Sequence, residues 1–121
     1  MSSVQTIEVH TAPAYEVAIG AGVLKTCGAR LKSVLGDCRI AVVTDSNVAP
    51  RYLDTVCESL RSAGFSVCSH VFSAGELNKN FTTLSGILEF LAAAQLTRTD
   101  CVAALGGGVT GDMAGFAAAV Y

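Results

Sequence analysis

From residue 39 onward, strand-like segments alternate regularly with longer segments whose apolar residues recur at helical spacing. The strand-like segments are residues 39–45, 65–72 and 101–105, and the first contains a continuous apolar run, as expected of a strand covered on both faces. Alternating strands and helices are joined by right-handed crossovers, which build a parallel sheet with helices on both faces. The pattern therefore predicts a Rossmann-like α/β fold.

The predicted helices have recognisable ends. A helix over residues 48–63 carries Pro50 in its first turn and is followed by Gly64. Asn80 can cap the next helix, whose predicted buried stripe comprises Phe81, Leu84, Ile87, Leu88 and Leu91. The last helix is predicted over residues 109–121.

Residues 6–10 and 15–20 alternate apolar and polar positions on either side of Pro13, which predicts a two-stranded antiparallel ribbon ahead of the sheet. A helix over residues 22–35 follows and ends at Gly36. Its predicted apolar face comprises Val23, Leu24, Cys27, Leu31, Val34 and Leu35. All of these elements are expected to form one domain, residues 1–121, around a single core.

The composition is typical of a compact globular domain, with 51% apolar and 15% charged residues. A formal net charge of −2 gives no electrostatic reason to expect nucleic acid or an anionic membrane as a partner. No apolar run reaches the length of a membrane span, and the first residues lack the layout of a signal peptide. The cytoplasm is therefore the expected location.

The cysteine and histidine residues are predicted to be structural rather than metal ligands. His10 falls in the ribbon and His70 within a strand, and neither has neighbours at metal-ligand spacing. The cysteines are odd in number and form no Cys-x-x-Cys pair. Because they lie within apolar patterns, we expect buried, reduced thiols at Cys27, Cys38, Cys57, Cys68 and Cys101.

Ligands of parallel α/β sheets bind beyond the carboxyl ends of the strands, which here lead into loops 44–48, 73–80 and 106–112. The third loop matches G-x-G-x-x-G, a pattern whose backbone amides can approach a pyrophosphate at a helix N-terminus. The alternative is a tight turn that only begins a helix. Asp112 stands where a P-loop has lysine, which excludes that class. The acidic residue that usually follows about twenty positions later would fall beyond Tyr121.

The other two loops each allow two interpretations. Asp45 and Asn47 could accept hydrogen bonds from ribose hydroxyls, or could merely cap the following helix. Glu76 and Lys79 could point into one crevice as an acceptor and a cation for phosphate, or could form a weak surface ion pair.

Together, the three loops resemble those of the 3-dehydroquinate synthases and their sugar-phosphate cyclase relatives. That family carries a TDxNV-like turn, a GExxK loop and the sequence ALGGGVxGDxxGFxA, which stand here as residues 44–48, 75–79 and 104–117. The motifs occur in the family's order and at compatible spacing across essentially the whole chain. Iron-dependent alcohol and glycerol dehydrogenases share the triple glycine, but usually lack the continuation Gly111-Asp112 with Gly115-Phe116.

The resemblance implies that the chain binds NAD along these loops. Asp45 and Asn47 would face the adenosine ribose, while Gly75, Glu76 and Lys79 would lie over the central part of the cofactor. The third loop would place its backbone against the pyrophosphate, and its last residue, Asp112, would lie near the nicotinamide. The cofactor-binding residues of this loop would be Gly107, Gly108, Val109, Thr110, Gly111 and Asp112.

The resemblance also implies a carbon–oxygen lyase of aromatic amino acid biosynthesis, the shikimate pathway. Such enzymes convert 3-deoxy-D-arabino-heptulosonate 7-phosphate to 3-dehydroquinate and phosphate by transient oxidation with NAD, elimination, re-reduction and aldol closure. They commonly form homodimers and hold zinc or cobalt with one glutamate and two histidines in a helical C-terminal domain. We therefore expect this chain to be truncated relative to the family, to lack a complete catalytic or metal site, and to be inactive alone.

Three other interpretations stay open: a cyclase of the 2-deoxy-scyllo-inosose or valiolone type, an iron-dependent dehydrogenase, and a nucleotide-binding module without catalytic activity. The last predicted helix also lacks a polar face, since Asp112 is the only charge between Cys101 and Tyr121. Such a helix predicts an exposed apolar patch that needs a partner.

Overall fold

A computed structural model describes residues 3–121 of the chain. Strands and helices follow one another in the order β1 (Gln5–Val9), β2 (Tyr15–Ile19), α1 (Cys27–Leu35), β3 (Arg39–Asp45), α2 (Asp54–Ser62), β4 (Ser66–Phe72), α3 (Phe81–Ala93), β5 (Cys101–Leu105) and α4 (Gly108–Val120). Single 3₁₀ turns lie at Val23–Thr26 and Glu76–Asn78, and a wider π turn lies at Ala49–Leu53. Within the described residues, no helix is both long and apolar enough to cross a bilayer.

Strands β3, β4 and β5 form a parallel sheet in the order β4-β3-β5, so the first strand of the set is central. Its residues Ile40, Ala41, Val42 and Val43 are fully buried. Their side chains alternate between two cores, since successive residues of a strand point to opposite faces. The predicted α/β architecture is therefore confirmed.

Each face of the sheet has its own core. Ile40 and Val42 pack with the α2 residues Val56, Cys57 and Leu60, and part of α1 adds to this side. On the other face, β3 packs with α3 and α4 through a cluster that includes Ala41, Val43, Leu84, Ile87, Leu91, Met113, Ala114 and Ala117. Two separate layers of helices therefore fix the sheet that carries the candidate site.

Strands β1 and β2 pair antiparallel, with Ile7 opposite Val17, which confirms the predicted ribbon. One face of the ribbon remains exposed: Ile7, Tyr15 and Ile19 are each about half accessible to solvent. The ribbon lies beside α1 and does not extend the parallel sheet.

Two predicted apolar stripes are wrong in part. Val34 near the end of α1 is 80% exposed, because α1 buries only the side that contacts α2. Phe81, the first residue of α3, is 81% exposed. Helices α1 and α2 also begin later than predicted. Helix α1 begins at Cys27 after a 3₁₀ turn, and α2 begins at Asp54 after a π turn.

Gly28 explains how closely α1 approaches α2. Its amide donates to the hydroxyl Oγ of Ser59 at 2.9 Å, and a Cβ at this position would lie 2.0 Å from the Ser59 carbonyl oxygen. Only glycine allows the two backbones to meet at this distance.

The amino-terminal end of the sheet is held by a half-buried ion pair. The Arg39 guanidinium lies 2.9 Å from Asp100, whose side chain is only 7% exposed. Asp100 also accepts hydrogen bonds from the backbone N–H groups of Arg39 and Thr97. These backbone donors, more than the guanidinium, hold the pKa of Asp100 well below its usual range.

Candidate functional site

The three loops predicted from the sequence lie together at the carboxyl end of the parallel sheet. The backbone N–H of Ser46 donates to the Phe72 carbonyl at 2.9 Å, and the Ala74 N–H donates to the Ser46 hydroxyl at 2.9 Å. The loops after β3 and β4 are therefore joined by hydrogen bonds, which fixes the spacing of the motifs they carry.

A second set of contacts joins β3 to the glycine turn. The hydroxyl of Thr44 donates to the carbonyl oxygen of Leu105, the last residue of β5, at 2.7 Å. Thr44 is fully buried and pairs with Leu105 in the strand register. This hydrogen bond therefore fixes the position of Leu105, from which the chain enters the glycine turn.

The turn after Leu105 requires glycine at its first position. Gly106 has a φ of +152°, and a Cβ there would lie 2.8 Å from the hydroxyl oxygen of Thr110. Thr110 is 1% exposed, and its hydroxyl has no hydrogen-bond partner among residues 3–121. The fold itself thus explains the first glycine of the motif.

The fold does not explain the next two glycines. Gly107 and Gly108 have no positive φ, and a Cβ on either would meet no atom within 4 Å. Gly107 precedes α4 without a side-chain cap, so the first N–H groups of that helix face open space. A helix N-terminus of this kind favours an anion, and the missing side chains leave room for one to approach the backbone.

Lys79 links the second loop to the third. Its ammonium Nζ lies 2.8 Å from the Asp112 carboxylate and 4.0 Å from that of Glu76. The hydrogen bond and charge of Asp112, followed by the charge of Glu76, raise the pKa of Lys79. The sequence predicts no contact between Lys79 and Asp112, because 33 residues separate them along the chain.

Asp45 caps the segment that follows β3. Its carboxylate oxygen Oδ1 accepts from the N–H groups of Asn47 and Val48, each at 2.9 Å. The capping interpretation is therefore what the structure shows for this oxygen, whereas a contact with ribose stays a prediction. Asn47 is exposed beside it.

A cleft of about 360 Å³ opens next to the Lys79–Asp112 pair. Its lining is mostly apolar and comprises Lys79, Asn80, Phe81, Leu84, Asp112, Met113 and Phe116. Phe81 belongs to this wall and not to the core in which the sequence placed it. The sequence feature that indicates this exposure is the position of Phe81 directly after the capping residue Asn80, where a side chain projects past the end of the helix.

The cysteine and histidine residues form no metal site in the described part of the chain, where no three ligand-type side chains cluster. All five thiols are free, but only Cys57 is buried and the other four are partly exposed, so the prediction of buried thiols holds in part. His70 stacks on Phe90 at 5.1 Å, and burial lowers its pKa. His10 is exposed 3.8 Å from Glu8.

Comparison with known proteins gives consistent results. Residues 69–121 match the family described as 3-dehydroquinate synthase N-terminal. The 3-dehydroquinate synthase of Rhizobium leguminosarum bv. trifolii is 45% identical over 120 residues, which are 98% of this chain and 32% of that enzyme. The chain thus spans about a third of the length of the curated relatives it matches.

Two solved structures share the fold. A 2-deoxy-scyllo-inosose synthase complexed with carbaglucose-6-phosphate, NAD⁺ and Co²⁺ superposes with a TM-score of 0.83 at 24% identity, over 98% of this chain and 32% of that chain. The 2-epi-5-epi-valiolone synthase of Streptomyces hygroscopicus subsp. jinggangensis, with NAD⁺ and Zn²⁺ bound, gives 0.67 at 28% identity, over 75% and 25%. The resemblance predicted from the three loops is confirmed.

Proposed function

We propose that this chain, the counterpart of the N-terminal third of a 3-dehydroquinate synthase, forms the NAD-binding part of such an enzyme. The observation that carries the proposal is the open backbone at Gly107 and Gly108. Gly107 and Gly108 lie at the start of α4 and have no positive φ that would require glycine, and their loop is joined to the second motif loop by the Lys79–Asp112 pair. A pyrophosphate is the ligand that such a helix start accommodates best.

The residues fit the cofactor in a definite order. The backbone from Gly107 to Val109 would hold the pyrophosphate, and Asp45 with Asn47 would face the adenosine ribose. Asp45 can do so while capping its own loop, because Oδ1 makes both capping bonds and Oδ2 is the second oxygen of the carboxylate.

The ionic cluster would lie along the central part of the cofactor. Lys79 is held between Asp112 and Glu76, so its ammonium is positioned before any ligand arrives. Two carboxylates around one ammonium leave the cluster with net negative charge. We therefore propose that Lys79 acts mainly by orienting Asp112 and by donating to the ribose or phosphate, rather than as a free cation.

NAD supplies the hydride acceptor and donor for the transient oxidation that the family's reaction requires. In this proposal the whole enzyme converts 3-deoxy-D-arabino-heptulosonate 7-phosphate to 3-dehydroquinate and phosphate. Zinc or cobalt does not fit the described residues 3–121, which offer no cluster of ligand-type side chains. No step of the reaction is therefore assigned to a metal held by these residues.

Calorimetric titration of the chain with NAD tests the proposal. Lys79→Ala and Asp112→Ala should each weaken binding by roughly three- to tenfold, since each removes one charge-assisted contact. Lys25→Ala and Glu89→Ala, exposed charges away from these loops, serve as controls and should bind NAD like the parent chain. Equal effects in both sets, or no NAD binding by the parent, would overturn the assignment of the loops.

A related sugar-phosphate cyclase is the second candidate, because the two structures with the same fold are cyclases of the 2-deoxy-scyllo-inosose and valiolone types. The NAD site would be the same, and only the sugar phosphate would differ. Turnover assays of the complete enzyme that carries this sequence, with 3-deoxy-D-arabino-heptulosonate 7-phosphate and with glucose 6-phosphate, separate the two. A module without catalytic activity, like a cyclase for a third sugar phosphate, would turn over neither compound, and a screen of further sugar phosphates separates those two.

A further inference from the structure

Near the end of β3, Thr44 buries a hydroxyl group at a position where an aliphatic side chain would serve for packing alone. Thr44 is fully buried in the central strand, where its neighbours Val42 and Val43 are aliphatic. Valine has almost the same shape and would fill this space without burying a polar group. Burying a hydroxyl costs free energy unless it is hydrogen-bonded, and here it donates to the Leu105 carbonyl at 2.7 Å.

The acceptor of this bond is the last carbonyl before the glycine turn. Thr44 and Leu105 form the final pair of the β3–β5 ladder, and Gly106 follows immediately with its φ of +152°. The peptide plane between Leu105 and Gly106 is therefore held by the Thr44 hydroxyl. From that plane, two residues lead to the exposed N–H groups at the start of α4.

A second buried threonine limits the turn from the other side. The Thr110 hydroxyl lies where a Cβ on Gly106 would come within 2.8 Å, so the turn is packed directly against α4. The Thr44 bond and this contact therefore restrict the backbone at Gly106 from two sides. Rigid placement of amide donors is what makes an anion site effective, because no reorganisation is needed on binding.

We infer that Thr44 is a positioning residue of the site: its hydroxyl fixes the Leu105 carbonyl and thereby aims the amides of Gly107, Gly108 and Val109. The contribution of Thr44 to cofactor affinity rests on the proposed NAD function. Its role in fixing the conformation of the glycine turn is independent of that proposal. Thr44 itself touches no ligand in this scheme and acts through the backbone that follows Leu105.

The variants Thr44→Val, Thr44→Ser and Val42→Ala test the inference by NAD titration. Thr44→Val keeps the shape and removes the bond, so the dissociation constant should rise about three- to tenfold, the effect of one lost hydrogen bond. Thr44→Ser keeps the hydroxyl and should stay within about twofold of the parent. Val42→Ala opens a cavity in the same strand and should lower stability while leaving affinity within about twofold.

A second readout needs no cofactor. Amide hydrogen exchange in the ligand-free Thr44→Val chain should be faster than in the parent at Gly111, whose N–H donates to the Gly107 carbonyl, and unchanged at the α3 core residues Ile87 and Leu91. Val42→Ala should not produce this local difference. A parent chain that fails to bind NAD would overturn the proposed function, while the exchange pattern still decides the role of Thr44. Unchanged local exchange, or equal loss of affinity in Val42→Ala, would overturn the inference.

Discussion

At the scale of single residues, the glycines of the third loop differ in the reason for their presence. Gly106 is required by its own backbone and by the Thr110 side chain behind it. Gly107 and Gly108 are open on the side where a ligand would approach, and nothing within the described chain demands them. The motif thus contains one glycine that the fold requires, followed by two glycines whose lack of a side chain leaves the backbone accessible to a ligand.

Gly106→Ala should therefore destabilise the fold by about 1–3 kcal/mol, because alanine at this φ is strained and its methyl group meets Thr110. Gly115→Ala is the matched control in α4, where a Cβ meets no atom within 4 Å. It should be neutral or stabilise by up to about 1 kcal/mol, since alanine favours the helix. Urea unfolding of both variants checks the prediction, which fails if the two changes have the same sign and size.

At the scale of elements, the two ends of the sheet are held in different ways. The carboxyl end depends on the Thr44 hydroxyl and on loop-to-loop hydrogen bonds, whereas the amino end depends on Arg39 and Asp100. The Asp100 carboxylate ties the start of β3 to the loop before β5 through backbone and side-chain donors of Arg39 and Thr97. This end is the one whose stability should depend on pH.

The pKa of Asp100 is lowered in the folded chain from its ordinary value of 3.8, so the ionised form stabilises the fold. That contribution is fully present well above pH 3.8, and it is lost as the pH falls through the lower folded value. Asp100→Asn should therefore lower the melting temperature at neutral pH, and its difference from the parent should shrink as the pH is lowered below about 4. Thermal unfolding between pH 2 and 7 provides the measurement.

Asp37→Asn is the control for that series. Asp37 is an exposed carboxylate whose pKa is lowered chiefly by its hydrogen bond to Lys32. Such a surface pair contributes little to stability, so this variant should follow the parent at every pH. A difference between Asp100→Asn and the parent that is independent of pH would show that the carboxylate charge is not the stabilising feature.

Sequence periodicity predicted the order of strands and helices, because a strand buried on both faces, such as β3, has a continuous run of apolar residues. The positions of the three loops followed directly from that order. It could not place Val34 or Phe81, whose exposure depends on which neighbour covers each helix. It also missed the pairs Lys79–Asp112 and Thr44–Leu105, since partners 33 and 61 residues apart are joined only by the tertiary fold.

At the scale of the whole molecule, the apolar patch expected on the last helix is present and extends to α3. Phe116, Val120 and Tyr121 are each about half exposed, and Phe81 is more exposed still. Phe81 and Phe116 flank the cleft beside Asp112, so this surface is continuous with the candidate site. What covers this surface stays a prediction.

The double variant Phe81→Ser with Phe116→Ser should lower the free energy of unfolding by only about 1–2 kcal/mol, because Phe81 is mostly exposed and Phe116 about half exposed. Binding of the dye anilinonaphthalene sulfonate should fall, because the exposed apolar surface is reduced. Leu91→Ala, a fully buried control in α3, should instead lose about 2–5 kcal/mol. A loss of that size in the double variant would place the two rings in the core.

The central position of β3 has a consequence for how the protein is made. β3 is the first of the three parallel strands to leave the ribosome, yet it must lie between two strands that emerge afterwards. Until Leu105 has emerged, one edge of β3 stays without its neighbour and the Thr44 hydroxyl has no carbonyl to meet. Domains generally fold as units during synthesis. The candidate site therefore gains its fixed glycine turn only after β5 has been translated.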